Sequence, residues 1–389
     1  MLAFILALVL HVTPESGLTP AIDSARTVYQ SSGETTTIYL APGTYYEEIT
    51  IDVPGIKLIN ARSANKRASV QTVVSNGGVS IGDNAVRLSW YYGHGYQYAS
   101  MGPNRPNYGG SRERLWNASV LVTAQDFYAE GIIFENSFNL YVSPQEAQDT
   151  LVDLSDAPFE WSEKERPKRR MPDRPKTPYS TDVQRKFYRE RASALSFASG
   201  ATNAVLRNCR VVGRQDAFYG AHGASVTVEN SILCGAVDYI FGGMDLTVTN
   251  SELVAMVTDE KGDRCYIAAG RGYCPNYDEE GKDRNAQTVA IDSIPTNEYA
   301  KQGMIFRNCT VRYATEDELI NAHANERRYQ INAEGNKHPE RVYLCRPWRW
   351  WGMHMFENVT AAPGVLNPEP ISLGLTKGHP TPFVYIKNK

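Results

Sequence analysis

The sequence predicts an all-β chain wound as a parallel solenoid, on two observations. An apolar-x-apolar-x-Asn-small phrase recurs: IIFENS at 132–137, AVLRNC at 204–209, VTVENS at 226–231, LTVTNS at 246–251, MIFRNC at 304–309 and HMFENV at 354–359. IKLINA at 56–61 is a looser copy. A phrase repeating at the length of one coil marks stacked units that bury their apolar faces against each other. The second observation is a matched offset. Asn208 and Asn230 stand 22 residues apart, and so do Asp216 and Asp238 in GRQDAFY at 213–219 and AVDYIF at 236–241. Asn230 to Asn250 is 20 residues, close to one coil, while intervals of 72, 58 and 50 residues elsewhere read as coils carrying loop insertions. The recurrent Asn is expected to stack its amide as an internal ladder.

The elements follow in order. Residues 2–10, LAFILALVL, have the length of a signal-peptide apolar core, though neither Lys nor Arg precedes them. Residues 1–17 are read as a signal peptide, with the alternative of a first strand at Leu8–Val12 and a cap before a helix at Thr19–Tyr29. Residues 18–389 read as one β-helical domain, because solenoids grow linearly with length instead of dividing. One insertion, about 90–116, is rich in Tyr, Gly and Asn and reads as an aromatic surface loop. Another, about 144–190, holds the basic, proline-rich run SEKERPKRRMPDRPKTP. That run reads as a solvated loop, or more sharply as a cationic rim for an acidic polymer. The Pro- and Gly-punctuated tail after Pro363 is expected along the outside of the solenoid.

Composition agrees with a folded chain. Its 389 residues are 42% hydrophobic with a net charge of −3, which supplies a core and no footprint for nucleic acid. No apolar run reaches the roughly 18 residues of a membrane span. The 23 Tyr and six Trp favour strands and sugar-stacking surfaces. Asn117, Asn308 and Asn358 stand in Asn-x-Ser/Thr acceptors, as a secreted chain permits, although the last two fall where Asn is expected to point inward. The six cysteines form no metal pattern. Cys265 with Cys274, or Cys209 with Cys234, are candidate disulfides.

The candidate chemistry lies with the aspartates. If the coil length is 22, Asp216 and Asp238 sit on neighbouring strands, which lie about 4.7–4.9 Å apart. Like charges that close do not both ionise freely, so one carboxyl keeps its proton while its partner stays an anion. The segment YLCRPWRWW at 343–351 adds Arg346, able to hold a carboxylate through a planar fork of donors, and Trp348, a face for a pyranose ring. Gln215 supplies an uncharged donor of the kind that stabilises an oxyanion.

These residues resemble the pectin methylesterase family. GRQDAFY is similar to that family's G-[FY]-Q-D-T-[LF]-Y, VDYIFG at 237–242 to V-D-F-I-F-G, and YLCRPW at 343–348 to Y-L-G-R-P-W. Weaker similarity extends to PAIDSA at 20–25 and IYLAPGTYYEEITI at 38–51. The resemblance implies a single-stranded, right-handed parallel β-helix and a secreted, monomeric enzyme. That enzyme would remove methyl esters from galacturonate units of pectin and release methanol. Asp238 would be the nucleophile, Asp216 the general acid and then base, Gln215 an oxyanion donor, and Arg346 the residue that holds Asp238 ionised. Trp348, Arg191, Tyr219 and Phe241 would contact substrate. No metal or organic cofactor is implied.

Three departures stand out. Arg191 opens a stretch, RASAL, where the family has Q-A-V-A-L, so a cation replaces a second oxyanion donor. Arg214 replaces an aromatic and Cys345 a glycine. The chain reads as a divergent branch, nearer the long-loop bacterial and insect-type forms. Arg191 raises affinity for acidic, partly de-esterified pectin, serves a different ester, or marks a site that has drifted to binding without catalysis. Another polyuronide-active β-helix enzyme, a polygalacturonase or lyase, is the remaining alternative.

Overall fold

The computed structural model describes residues 7–62, 73–75, 78–80, 82–94, 96, 98–102, 117–152, 174–181, 183, 191–257, 264–271, 303–314, 340–347, 352–374 and 384–387. They form a right-handed parallel β-helix of three long sheets with ten, eight and seven strands, each pairing in parallel with the strand one coil away. An antiparallel hairpin, Val73–Ser75 with Gly78–Ser80, stands apart from them.

One coil shows how the sequence builds the rest. Strand Ala204–Arg207 lies in the ten-stranded sheet, Arg210–Val212 in the eight-stranded sheet and Phe218–Gly220 in the seven-stranded sheet. The next coil repeats this with Ser225–Glu229, Ile232–Gly235 and Ile240–Gly242. The pairings Leu206↔Val228, Val211↔Leu233 and Phe218↔Ile240 keep the offset of 22 that the sequence predicts. Alternate residues point inward, stacking Leu206, Val228 and Val248 in a single central core. Aromatic rings continue the file, with Phe306 and Phe356 stacked at 4.9 Å.

Two of the three turns of this coil rest on a left-handed Asn or Asp. The first takes the recurrent Asn, with φ of 53° at Asn208, 49° at Asn230 and 51° at Asn250. The second takes the aspartate, with φ of 53° at Asp216 and 47° at Asp238. Asn and Asp tolerate this region better than other side chains because a short polar group bonds locally. The turn therefore selects the residue, and the Asn does not form an internal ladder as expected. Asn230, Asn250 and Asn308 are exposed, and Asn358 donates to Asn308 Oδ1 at 3.2 Å along the outside. The inward ladder belongs to the next residue: Cys209 N–H donates to Ser231 Oγ and Ser231 N–H to Ser251 Oγ, both at 3.0 Å. Of the glycosylation acceptors, Asn117 is the buried one.

Glycine sets how tightly the second turn closes. A Cβ at Gly235 would lie 2.3 Å from Tyr239 Cβ, and one at Gly213 would lie 2.8 Å from Ala217 Cβ. Each glycine precedes its aspartate by three residues, so the arch that presents the carboxyl needs a missing side chain. Gly235→Ala is expected to destabilise the fold by about 1–3 kcal/mol, as overpacking does, seen as a lower urea midpoint at unchanged m-value.

Leu8–Val12 forms the first strand of the ten-stranded sheet, in register with Thr36–Leu40. The helix runs Thr19–Ser32, with Pro in its first turn, and ends at Gly33 in the left-handed region. Its first amides donate to a carboxylate from elsewhere: Leu18 N–H to Glu47 Oε1 at 2.6 Å and Thr19 N–H to Oε2 at 3.0 Å.

The insertions differ from their sequence reading. Tyr91, Tyr92, Tyr96 and Tyr98 are buried with Met101, Phe138 and Ala192, so this part of the first insertion is a satellite core and not a surface loop. Residues 103–116 and most of 144–190 lie outside the described residues. Arg174, from the basic run, is neither solvated nor at a rim. It is buried, pairs with Glu146 at 2.7 Å and packs over the Phe138 ring at 4.0 Å. The tail also departs from expectation. Leu366 and Ile371 bridge onto Val342 and Cys345, and Val384–Lys387 closes the ten-stranded sheet, so the tail extends sheets instead of wrapping them. Cys209 is a free thiol in the central core, whereas Cys234 lies in the cluster on the opposite face of the eight-stranded sheet. That placement excludes a bridge between them. Cys274 lies outside the described residues, and the Cys265–Cys274 pairing with it.

Candidate active site

The seven-stranded sheet carries the site. Leu121, Ser196, Tyr219, Phe241 and Ala269 fall in one register row across strands Val120–Val122, Leu195–Phe197, Phe218–Gly220, Ile240–Gly242 and Cys265–Gly270. The Tyr219 and Phe241 rings sit 5.5 Å apart, half-buried and buried respectively, beside the arches that carry the aspartates. Arg191, Gln215 and Val237 form a file of parallel bridges across three successive coils. Asp216 N–H donates to Val237 O at 3.2 Å, which ties one aspartate arch to the next.

Asp216 and Asp238 are 2% and 7% exposed. Arg346 reaches Asp238 from beyond strand Val342–Cys345. Its backbone is anchored by N–H to Ala268 O at 2.8 Å. Its guanidinium is bidentate, with Nε donating to Asp238 Oδ1 at 2.9 Å and a second nitrogen to Oδ2. Paired donors of this kind hold a carboxylate both charged and oriented.

The two carboxyls are pushed apart in protonation. Burial raises Asp216 well above the ordinary carboxylate range and the Asp238 charge raises it further, with Arg191 and Arg346 opposing. Burial also raises Asp238, but the Arg346 hydrogen bonds and charge, and then Arg191, pull it back. As pH rises Asp238 ionises first, and Asp216 keeps its proton. This is the arrangement for a nucleophile or base beside an acid.

The structure brings together Asp216, Asp238, Gln215, Arg191 and Arg346, with Tyr219 and Phe241 on the same sheet. Trp348 lies outside the described residues. Two neighbours were not found from the sequence. His94 donates its backbone N–H to Arg191 O at 2.7 Å. Burial and the Arg191 charge lower its imidazole to about 3, so it stays neutral. Tyr266 lies with its ring centroid 4.1 Å from Arg346 Cζ. Neither stands in a repeat or motif spacing that would single it out.

No protein-family model matches the chain, and no curated protein does. Its fold is similar to that of solved structures. The pectin methylesterase from Aspergillus niger, in deglycosylated form, is 18% identical with a TM-score of 0.55, over 98% of this chain and 84% of that one. The crystal structure of Escherichia coli ybhc is 12% identical with a TM-score of 0.54, over 97% and 84%. At these identities the likeness concerns the parallel β-helix.

Proposed function

We propose that the protein is a carboxylic ester hydrolase that removes methyl esters from the galacturonate units of pectin through an aspartyl acyl-enzyme. The observation that carries this reading is the bidentate grip of Arg346 on Asp238, in the arch one coil beyond that of the buried Asp216. An Asp238 oxygen attacks the ester carbonyl carbon, and its electron pair moves onto the carbonyl oxygen. Gln215 donates to that oxyanion. On collapse the C–OCH₃ bond breaks and methanol leaves with the Asp216 proton, giving an anhydride between Asp238 and the sugar carboxyl. Asp216, now a carboxylate, takes a proton from water as the water oxygen attacks the anhydride. The products are a galacturonate carboxyl and the original enzyme. Tyr219 and Phe241, side by side on the seven-stranded sheet, line the sugar groove. Action on a cell-wall polymer fits a secreted monomer, the remaining part of the reading.

The experiment is to incubate highly methylated pectin with the wild type and follow methanol, viscosity and reducing ends together. Methanol at constant viscosity is the expected result. New reducing ends would indicate glycosidic cleavage, and binding with neither product would indicate a site kept for recognition.

Arg191 points to the preferred form of the substrate. With Asp216 protonated, Arg191 and Arg346 face one carboxylate, so the site carries one positive charge in excess. Such a site favours pectin with free carboxylates beside the reacting ester. Arg191→Gln is expected to raise KM for partly de-esterified pectin about 10-fold, the size of one charge-assisted hydrogen bond. KM for fully methylated pectin changes less, and the dependence on salt weakens. Equal effects on both substrates in steady-state kinetics would contradict it.

A further inference from the structure

We propose that Tyr266 is a positioning residue that holds the Arg346 guanidinium in the plane from which it grips Asp238. The inference rests on the role given to Asp238 above. Arginine is long and flexible, and a bidentate grip requires one orientation of its plane. Here the guanidinium uses two perpendicular directions at once. Its in-plane donors go to Asp238. Its face lies on the Tyr266 ring, Cζ 4.1 Å from the centroid, within the range of a cation–π contact. Stacking leaves the in-plane N–H groups free, so the two contacts do not compete.

The ring is itself built into the site. Tyr266 N–H donates to Ala236 O at 2.9 Å, two residues before Asp238, so the Tyr266 backbone is tied to the aspartate arch. Tyr266 is in register with Tyr343 of the neighbouring strand, and their rings stack at 5.1 Å with 25° between planes. Tyr343 in turn accepts from Arg264 Nε at 3.3 Å. Arg264, Tyr343, Tyr266, Arg346 and Asp238 thus form one continuous line of contacts ending on the proposed nucleophile. The charged and titratable groups facing Asp238 are Arg346, Arg191, Asp216 and the Tyr266 phenol. Burial keeps that phenol neutral by raising its pKa.

The test compares Tyr266→Leu with Tyr266→Phe. Losing the ring is expected to lower kcat roughly 10- to 100-fold, the scale of a misplaced catalytic contact, with KM within about threefold because substrate binding is untouched. The acid limb of the rate profile moves to higher pH as the guanidinium loosens and Asp238 protonates more readily. Tyr266→Phe keeps the ring and restores both quantities. A readout independent of turnover is the carbon-13 titration of the Asp238 carboxyl, assigned with Asp238→Asn. It is expected at higher pH in Tyr266→Leu than in the wild type or Tyr266→Phe. An unchanged titration and acid limb, or a change in KM alone, would overturn the proposal. If the wild type releases no methanol, the esterase reading fails while the titration still decides the role of Tyr266. If Tyr266→Leu does not fold, Tyr343→Leu removes only the support of the ring. A smaller shift in the same direction is then expected, and no shift would overturn the proposal.

Discussion

Asp238→Asn is expected to end methanol release, a loss of about 10⁴-fold or more, on the scale seen when a covalent nucleophile is removed. The substitution keeps the shape of the side chain and replaces the attacking oxygen by an amide. The arch is undisturbed, because Asn tolerates the left-handed region as well as Asp does, and Asn208, Asn230, Asn250, Asn308 and Asn358 already hold left-handed turns elsewhere in the solenoid. Folding and pectin affinity are therefore expected to stay near wild type. The comparison of kcat with the dissociation constant for a methylated oligogalacturonide checks this. Loss of affinity in proportion to turnover would mean that Asp238 binds and does not react.

Arg346→Leu is the second large effect. It leaves the Asp238 carboxyl buried without its cation, and kcat is expected to fall about 10²–10³-fold, as when a preorganised electrostatic contact is lost. The acid limb should move to higher pH, because Arg346 is the main group pulling Asp238 back toward its ordinary value. Stability follows the same linkage. A carboxyl whose folded pKa lies above its unfolded value contributes most below the unfolded pKa, near 4, and loses that contribution as pH rises through the folded pKa. Removing Arg346 raises the folded pKa further. The variant should therefore lose about 3 kcal/mol at pH 7, near the lower end for a broken buried pair because this one keeps some exposure. As pH falls toward 4 Asp238 takes up its proton and needs the cation less, so the loss should shrink. Urea unfolding at the two pH values measures it, and equal losses would contradict the linkage.

The sequence made the frame legible because a solenoid repeats itself. Leu206, Val228 and Val248 recur at coil spacing, and the shared offset of Asn208–Asn230 and Asp216–Asp238 carries the strand register directly. It did not show why Asn and Asp occupy those places. Both serve left-handed turns, a requirement of backbone conformation that apolar periodicity does not record, so periodicity alone places the Asn in the interior. The insertions misled for a different reason. Tyr91 to Tyr98 and Arg174 look like surface residues by composition, yet Phe138, Ala192 and Glu146 from distant segments bury them. Tyr266 and Arg346 meet only because the coil brings together positions 80 residues apart, with long insertions between. No local pattern announces such a pair.

The measurement that bears most directly on the central claim is a single turnover with enzyme in excess over a fully methylated oligogalacturonide. Wild type and Asp238→Ala would be quenched at matched times and analysed for methanol and chain length. The account predicts one methanol per ester cleaved by the wild type, an unshortened sugar chain, and none from the variant. Methanol from Asp238→Ala at the wild-type rate, or a shortened chain from the wild type, would contradict it.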